Sequence, residues 1–247
     1  MRDYDLISHL FDSEKKEHLV NSKLRGLSPE KLSLLETILS RRTCRNYSLD
    51  PIDKKIVNKM IEYSLHAPSA CNEQRWFLKN ITDKKVISEL VLRGSASFLK
   101  NCNNCLIVCY DSRGDNHHWK DHIQSGASFI TVFQLVAHAY GIGSCWVNHL
   151  PNKNELKKFL KIPKSKDPIG LISFGYYKNK SRWVPRKIDV NKALDENFEK
   201  TNPYDLRNNI IRIILRKIYY LTPSIIRKKL KKFTYKFEKK FYYELEK

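Results

Sequence analysis

The middle of the chain carries apolar residues at spacings that predict helices and strands. The segment SPEKLSLLETILSRR has its leucines and isoleucines at helical intervals behind a predicted N-cap at Ser28. DPIDKKIVNKMIEYSLHA predicts a second amphipathic helix, which Pro68 stops. IQSGASFITVFQLVAHAYGIG is apolar on nearly all sides, which predicts a central helix ending at Gly141. NKNELKKFL predicts one more helix.

Short, bounded apolar runs between these helices predict strands. They are NCLIVCY, CWVNHL and PIGLISFGYY. This mixture of helices and strands indicates an α+β protein, an α/β sandwich with a mixed, mainly antiparallel sheet flanked by helices. Changes in composition divide the chain further. We expect an N-terminal helical extension over 1–27, one domain over 28–202 and a basic helical C-terminal extension over 203–247.

The charge balance of the chain is strongly positive. It has 46 Lys and Arg residues against 26 Asp and Glu, a formal net charge of +20. This excess favours anionic partners such as phosphates, acidic lipids or nucleic acid, although a Lys-rich composition alone would also produce it. The N-terminus lacks the apolar core of a signal peptide, and no apolar run is long enough to span a bilayer. We therefore expect a cytoplasmic protein with reduced cysteines.

A compact set of hydrogen-bond donors lies in RRTCRNY, directly after the first predicted helix. Arg41, Arg42 and Arg45 provide guanidinium groups, and Thr43 adds a hydroxyl. Guanidinium forks match phosphate oxygens in pairs, and clustered cations repel one another unless an anion or several carboxylates lie nearby. The alternative is a solvated helix end, where arginine suits the helix dipole.

A second polar stretch, HAPSACNEQRW, follows the second predicted helix. Pro68 and Ser69 predict a turn, after which Asn72 and Gln74 offer both donors and acceptors. The edge of a heteroaromatic ring with carbonyls and ring nitrogens needs that mixture. The alternative is an ordinary Asx turn, with Trp76 as an anchor in the core.

These two stretches and two later ones resemble landmarks of the FMN-dependent nitroreductase family. Members have an Arg-Arg-Ser-x-Arg-x-Phe-like stretch, then Ala-Pro-Ser-x-x-Asn-x-Gln-Pro-Trp. A Gly-Leu-Gly-Ser turn before a strand follows, and then a late Gly-Tyr strand before a basic segment. The counterparts here, in the same order, are RRTCRNY, APSACNEQRW, GIGSCWVNHL and FGYYKNKSRWVPRK.

The resemblance implies a nitroreductase-like fold in an intertwined homodimer, with FMN as cofactor and NADH or NADPH as reductant. It implies transfer of hydride through the flavin N5 to a small acceptor, such as a nitroaromatic or a quinone, without a catalytic side chain or a metal. Residues of both subunits would form each site. The cofactor-binding residues that it implies are Arg41, Arg42, Thr43, Arg45, Ser69, Asn72, Gln74, Asn148, Arg186 and Lys187.

The resemblance also implies a role for each part of that set. The arginine stretch would hold the FMN phosphate and ribityl end, together with Arg186 or Lys187 from the late basic segment. The loop amides would lie near the isoalloxazine, in a loop shaped by Ser69, and Asn148 would face the flavin from the strand after GIGS. Arg75 stands where the family usually has Pro, and we expect it to add a cation near the cofactor or its substrate.

Some features lie outside this resemblance. Residues 94–121 match none of its landmarks, so the sequence does not predict the acceptor. CNNC and HHWKDH have spacings that metal sites use, but neither has enough further ligands nearby. We expect the cysteines to behave as small apolar residues, and the histidines to lie at the surface or in a substrate lid.

The predicted C-terminal extension combines an apolar stripe with many lysines and arginines. The stripe consists of Ile226, Leu230, Phe233, Phe237 and Phe241. A helix of this kind can lie on an anionic membrane, here at its inner face, or it can pack on its own dimer. Nucleic acid is disfavoured because no nucleic-acid-binding module accompanies the stripe. The alternative to an enzyme is therefore a flavin-fold protein that serves as a binding or scaffolding subunit at a membrane surface, without NAD(P)H turnover.

Overall fold

The computed structural model of the chain describes residues 34–113, 115–116 and 118–178, together with positions 193, 194, 214, 218 and 222. Within these residues the chain forms five α-helices and four β-strands. The helices are α1 (Leu34–Ser40), α2 (Lys54–Ser64), α3 (Lys84–Leu92), α4 (Asp121–Ala139) and α5 (Lys153–Leu160). The strands are β1 (Trp76–Ile81), β2 (Asn104–Asp111), β3 (Ile142–Val147) and β4 (Lys166–Tyr176).

The four strands form one sheet in the order β1-β2-β4-β3, and each neighbouring pair is antiparallel. A bulge between Val108 and Cys109 shifts the register of β2 against β4. The prediction of a mainly antiparallel sheet flanked by helices is confirmed.

Helices cover both faces of this sheet. Ile87 and Leu90 of α3 and Leu156 of α5 belong to one buried cluster, whereas Met60 of α2 and Phe133 of α4 belong to the other. Every residue of β2 is buried, because the strand lies inside the sheet and its two faces meet both clusters. This is why NCLIVCY reads as a continuous apolar run instead of an alternating one.

The central helix α4 is the longest of these elements. It runs for 19 residues and buries Phe129, Ile130 and Phe133 against the sheet. Its end agrees with the prediction, since the helix stops at Ala139 and Gly141 follows with a φ of 72°. No helix of the described residues is both long and apolar enough to span a bilayer.

Several expectations from the sequence need correction or lie outside the described residues. Ile38 is 46% exposed, so the predicted apolar face of α1 is not fully buried. The strand predicted from CWVNHL begins earlier and ends at Val147, because its pairing with β4 ends there and the chain then turns towards α5. β1 and α3 were not predicted. The Ser28 cap, the 1–27 extension and nearly all of the 203–247 extension lie outside the described residues.

Candidate active site

The arginine stretch runs along the edge of β3 that faces away from β4. After α1 ends at Ser40, Thr43 forms a parallel bridge with Ser144, and the Cys44 amide donates to the Ser144 carbonyl at 2.9 Å. A Cβ atom on Gly143 would lie 2.8 Å from the Cβ of Cys44, so only glycine permits this close approach. The second glycine of GIGS, Gly143, is therefore explained by the close packing of Cys44 against it.

Tyr47 fixes the other end of this stretch. Its side chain is buried, and its hydroxyl lies 2.6 Å from the Cys44 carbonyl and 2.8 Å from the Ser173 Oγ. Burial raises the pKa of Tyr47 well above its ordinary value, so the hydroxyl remains a donor. The stretch is thus held from the end of α1 to Tyr47, which itself bridges to Tyr177.

The arginine side chains differ in their surroundings. Arg42 Nη1 donates to the Leu39 carbonyl at 2.6 Å and to the Arg41 carbonyl at 2.8 Å, so it closes the end of α1. Arg41 Nη1 is buried and has no hydrogen-bond partner among the described residues. Arg45 is half-buried, and Thr43 is exposed. A buried guanidinium donor without a partner is costly, and an anion would satisfy it.

A buried histidine that the sequence did not single out lies behind these arginines. His138, in the last turn of α4, is 2% exposed. Its Nε2 lies 2.8 Å from the Ser40 Oγ, and its Nδ1 lies 3.1 Å from the Tyr177 hydroxyl. Burial, with the charges of Arg41 and Arg42, lowers the pKa of His138 to about 4. The only signal in the sequence was a polar residue within the apolar run LVAHAY.

The loop with the two amides lies at the other end of α4. The side-chain Nε2 of Gln74 donates to Asn72 Oδ1 at 2.7 Å, and the backbone amide of Gln74 donates to the Ser69 Oγ at 3.1 Å. The Ala70 amide donates to the Ser125 Oγ at 3.0 Å, which ties the loop to the first turns of α4. Asn72 and Gln74 are exposed, with φ angles of 53° and 50°.

The two halves of the predicted site are far apart in one chain. His138 contacts the arginine end and Ser125 contacts the loop, and thirteen residues of α4 separate them. At about 1.5 Å per residue this is roughly 20 Å along the helix. Asn148 is exposed and lies beyond the end of β3, so its predicted place on that strand is wrong. Arg186 and Lys187 lie outside the described residues.

The loop end of α4 is surrounded by paired charges. Arg75 lies 2.8 Å from Glu73 and donates to the Arg113 carbonyl. The expected cation is therefore present but neutralised by a neighbouring carboxylate. Hydrogen bonds from the side chain of Arg113, then from its backbone amide and from Lys166, hold the pKa of Asp111 well below its ordinary range.

The histidine of HHWKDH at the start of α4 belongs to a similar cluster. His122 Nδ1 lies 2.5 Å from Asp115, and its Nε2 lies 3.3 Å from Asp167. Cys102 and Cys105 are buried, as expected of small apolar residues. Over the described residues, no three His, Cys, Asp or Glu side chains gather in a way that could hold a metal ion.

Comparison with known proteins identifies the family. The model of the nitroreductase family matches residues 38–93 and 92–176, more than half of the chain. The chain belongs to the nitroreductase family. The match includes the arginine stretch, the amide loop, α4 and all four strands.

Two curated proteins show what this chain is similar to. A protein of Archaeoglobus fulgidus named "Putative NADH dehydrogenase/NAD(P)H nitroreductase" is 27% identical over 149 residues, which cover 59% of this chain and 86% of that protein. The "FMN reductase [NAD(P)H]" of Bacillus subtilis is 24% identical over 174 residues, which cover 62% of this chain and 69% of that protein.

Solved structures agree on the nitroreductase fold. An FMN-dependent nitroreductase from Clostridium difficile R20291 superimposes with a TM-score of 0.59 at 24% identity, covering 66% of this chain and 99% of that one. At this identity the likeness establishes the fold alone. The superposition leaves about a third of this chain uncovered.

Proposed function

We propose that this nitroreductase is an FMN-dependent oxidoreductase that transfers hydride from NADH or NADPH to a small acceptor, such as a nitroaromatic or a quinone. The observation that carries the proposal is the buried Arg41 Nη1, a cationic donor without a partner among the described residues. It lies in the stretch where the family resemblance expects the FMN phosphate.

The donors of this stretch fit a phosphate. Arg41 and Arg45 provide guanidinium groups, and the exposed Thr43 provides a hydroxyl donor beside them. Arg42 also belongs to the proposed set, although its Nη1 donates to the carbonyls of Leu39 and Arg41. No ion pair joins Arg41 to a carboxylate within the described ranges, so its charge is available to an anion. Arg186 and Lys187 complete the proposed phosphate site.

The ring of the flavin would lie against the amide loop. Asn72 and Gln74 are exposed and bond to each other, so each amide keeps further donors or acceptors for the ring edge. Ser69 fixes the loop by accepting from the Gln74 amide. Asn148 stays in the proposed set as an exposed amide beyond β3. When bound, the flavin supplies the two-electron transfer between reductant and acceptor, and the protein supplies binding and orientation.

The distance between the two halves favours a homodimer. The arginine stretch and the amide loop lie at opposite ends of α4 in one chain. A homodimer can bring the arginine stretch of one subunit to the amide loop of the other, so that each cofactor contacts both subunits. The exposed Leu34 and Ile38 of α1 are apolar surface that a second copy could cover.

The absorption spectrum of the purified protein tests the proposal. We expect a yellow protein with a flavin spectrum that bleaches when NADH or NADPH is added without oxygen, and recovers its colour with a nitroaromatic or a quinone. Size-exclusion chromatography with light scattering should give twice the mass of the chain. A protein that binds no flavin even when FMN is added in excess would contradict the proposal.

For the C-terminal extension we propose contact with the dimer or with an anionic membrane surface. The sequence pattern supports both, because the stripe from Ile226 to Phe241 lies among lysines. Sedimentation with vesicles of anionic lipid, repeated with a variant cut after Pro203, separates them. Salt-sensitive binding that is lost in the cut variant, while flavin and dimer remain, supports the membrane. A cut variant that loses its dimer or flavin, in a protein that ignores vesicles, supports packing on the dimer.

A further inference from the structure

A directional hydrogen-bond chain links α1, α4 and the end of β4 behind the arginine stretch. The Ser40 Oγ lies 2.5 Å from the Glu36 carbonyl, which can only accept, so the single hydroxyl proton of Ser40 is donated there. Ser40 must therefore accept from His138, and the proton of the imidazole is on Nε2. The Nδ1 atom is then the acceptor for the Tyr177 hydroxyl. Each group in this chain has one definite role.

This chain requires a neutral imidazole. A protonated His138 would donate from both nitrogens, and the Tyr177 hydroxyl would lose its acceptor. The surroundings maintain the neutral form, because burial and the charges of Arg41 and Arg42 depress the pKa of His138. Burial raises the pKa of Tyr177, so its hydroxyl remains a donor. A neutral side chain at this place also adds no positive charge behind a stretch that already holds three arginines.

These hydrogen bonds also affect the position of Arg41. Ser40 is the last residue of α1, and Arg41 follows it with its amide still bonded to the Thr37 carbonyl at 3.0 Å. The position of Ser40 therefore determines the position of the Arg41 backbone, from which the guanidinium extends. On the other side, Tyr177 packs against Gly143, where a Cβ would lie 2.9 Å from its ring. His138 thus joins the base of the arginine stretch to the edge of the sheet.

We propose that His138 is a positioning residue for phosphate recognition, acting through Ser40 to hold Arg41 at the cofactor's phosphate. It contacts no substrate and performs no proton transfer. This inference rests on the proposed function, because it assumes that the arginine stretch binds the phosphate of FMN.

The test compares FMN with riboflavin, which lacks the phosphate. The dissociation constant of riboflavin divided by that of FMN measures phosphate recognition separately from ring binding. In His138→Phe both hydrogen bonds are lost, and we expect this ratio to fall by about tenfold, the value of one misplaced charge-assisted contact. His138→Gln should restore most of the ratio, because one amide can donate to Ser40 and accept from Tyr177. Both affinities are measured by fluorescence titration of flavin into flavin-free protein.

A matched control separates positioning from general destabilisation. Phe133→Leu lies on the same helix and is fully buried, but its ring contacts Phe129 and Phe174 instead of the arginine stretch. It should lower the melting temperature and leave the ratio unchanged. If His138→Phe also lowers the melting temperature without changing the ratio, the residue is merely structural and the inference is overturned. If His138→Phe does not fold, Ser40→Ala decides in the same way, since it removes the hydroxyl through which His138 acts.

The wild-type protein separates failure of the inference from failure of the proposed function. Wild-type protein that binds FMN no better than riboflavin would refute the phosphate site itself, and the inference with it. Wild-type protein that prefers FMN, with a ratio unchanged by His138→Phe or Ser40→Ala, would leave the proposed function intact and refute only the role of His138.

Discussion

The two ends of helix α4 hold the two halves of the proposed flavin site in different ways. At the C-terminal end, His138 is buried and neutral, and Arg41 keeps a buried donor without a partner among the described residues. At the N-terminal end, Ser125 supports an exposed loop, and the cation of Arg75 is paired with Glu73. At the C-terminal end an arginine donor is available for a ligand, whereas at the N-terminal end a carboxylate of the protein pairs with the cation.

This contrast shows how one scaffold can serve two kinds of recognition. A phosphate is held by fixed charge, so the groups behind it need to be rigid and uncharged. A flat ring is held by amide donors and acceptors, so an exposed loop with several remaining hydrogen-bonding groups is sufficient. Four substitutions or titrations can break or sharpen this comparison.

The largest expected effect is a loss of stability in mild acid caused by His138. Its pKa in the folded chain is about 4, below the ordinary histidine value of about 6.5, so the unfolded chain binds more protons between these values. The free energy of unfolding should therefore fall as the pH drops from about 6.5 to about 4, by up to about 3 kcal/mol. Urea unfolding across this range measures it.

Two variants check that this slope belongs to His138. In His138→Gln the difference in unfolding free energy between wild type and variant should shrink towards pH 4, because the variant has no imidazole to charge. Phe133→Leu removes no titratable group from the same helix and should leave the slope as it is. Parallel curves for wild type and His138→Gln would contradict the neutral imidazole.

The next effect concerns the charge at the same end of α4. Arg41→Ala or Arg45→Ala should weaken FMN binding by about 1.5–3 kcal/mol, roughly tenfold to hundredfold, because each removes a charge-assisted contact. Riboflavin has no phosphate, so the affinity for riboflavin should hardly change in either variant. Arg93→Ala is the matched control, since Arg93 pairs with Glu89 and Glu155. Wild-type affinity for FMN in both test variants would refute the phosphate site.

The sequence predicted the parts of this site more readily than their arrangement. Continuous apolar runs identified α4 and β2, the first by its length and the second as a short, bounded run between turns. The family resemblance pointed to the arginines and the amides by their order in the chain. Neither could show that Arg42 caps its own helix while Arg41 keeps a buried donor without a partner among the described residues, because that depends on side-chain directions. His138 was missed because one polar residue in an apolar run has no pattern of its own.

A smaller effect is expected at the loop end. Ser125→Ala removes the acceptor of the Ala70 amide and should loosen the loop, at a cost of about 1 kcal/mol. Because the change lies at the ring end, we expect the affinities for FMN and riboflavin to fall by the same factor, roughly fivefold. Thr131→Ala is a suitable control on an exposed turn of the same helix. A selective loss of FMN affinity in Ser125→Ala would mean that the two ends do not act separately.

The smallest expected effect comes from the backbone of the amide loop. Cys71 has a φ of 49°, a left-handed conformation that costs a residue with a Cβ about 1–2 kcal/mol. Cys71→Gly removes this cost but gives the unfolded chain more freedom, about 0.4–1 kcal/mol, so we expect a net stabilisation of about 0.5 kcal/mol. Ala70→Gly, at the neighbouring position without a positive φ, should instead destabilise the protein by about 0.5–1 kcal/mol. Urea unfolding of both variants at neutral pH measures the difference. If both glycines destabilise the protein equally, the positive φ of Cys71 does not reduce the stability of the protein. The hydrogen bonds of Ser69 and Ser125 would then account for the shape of the loop.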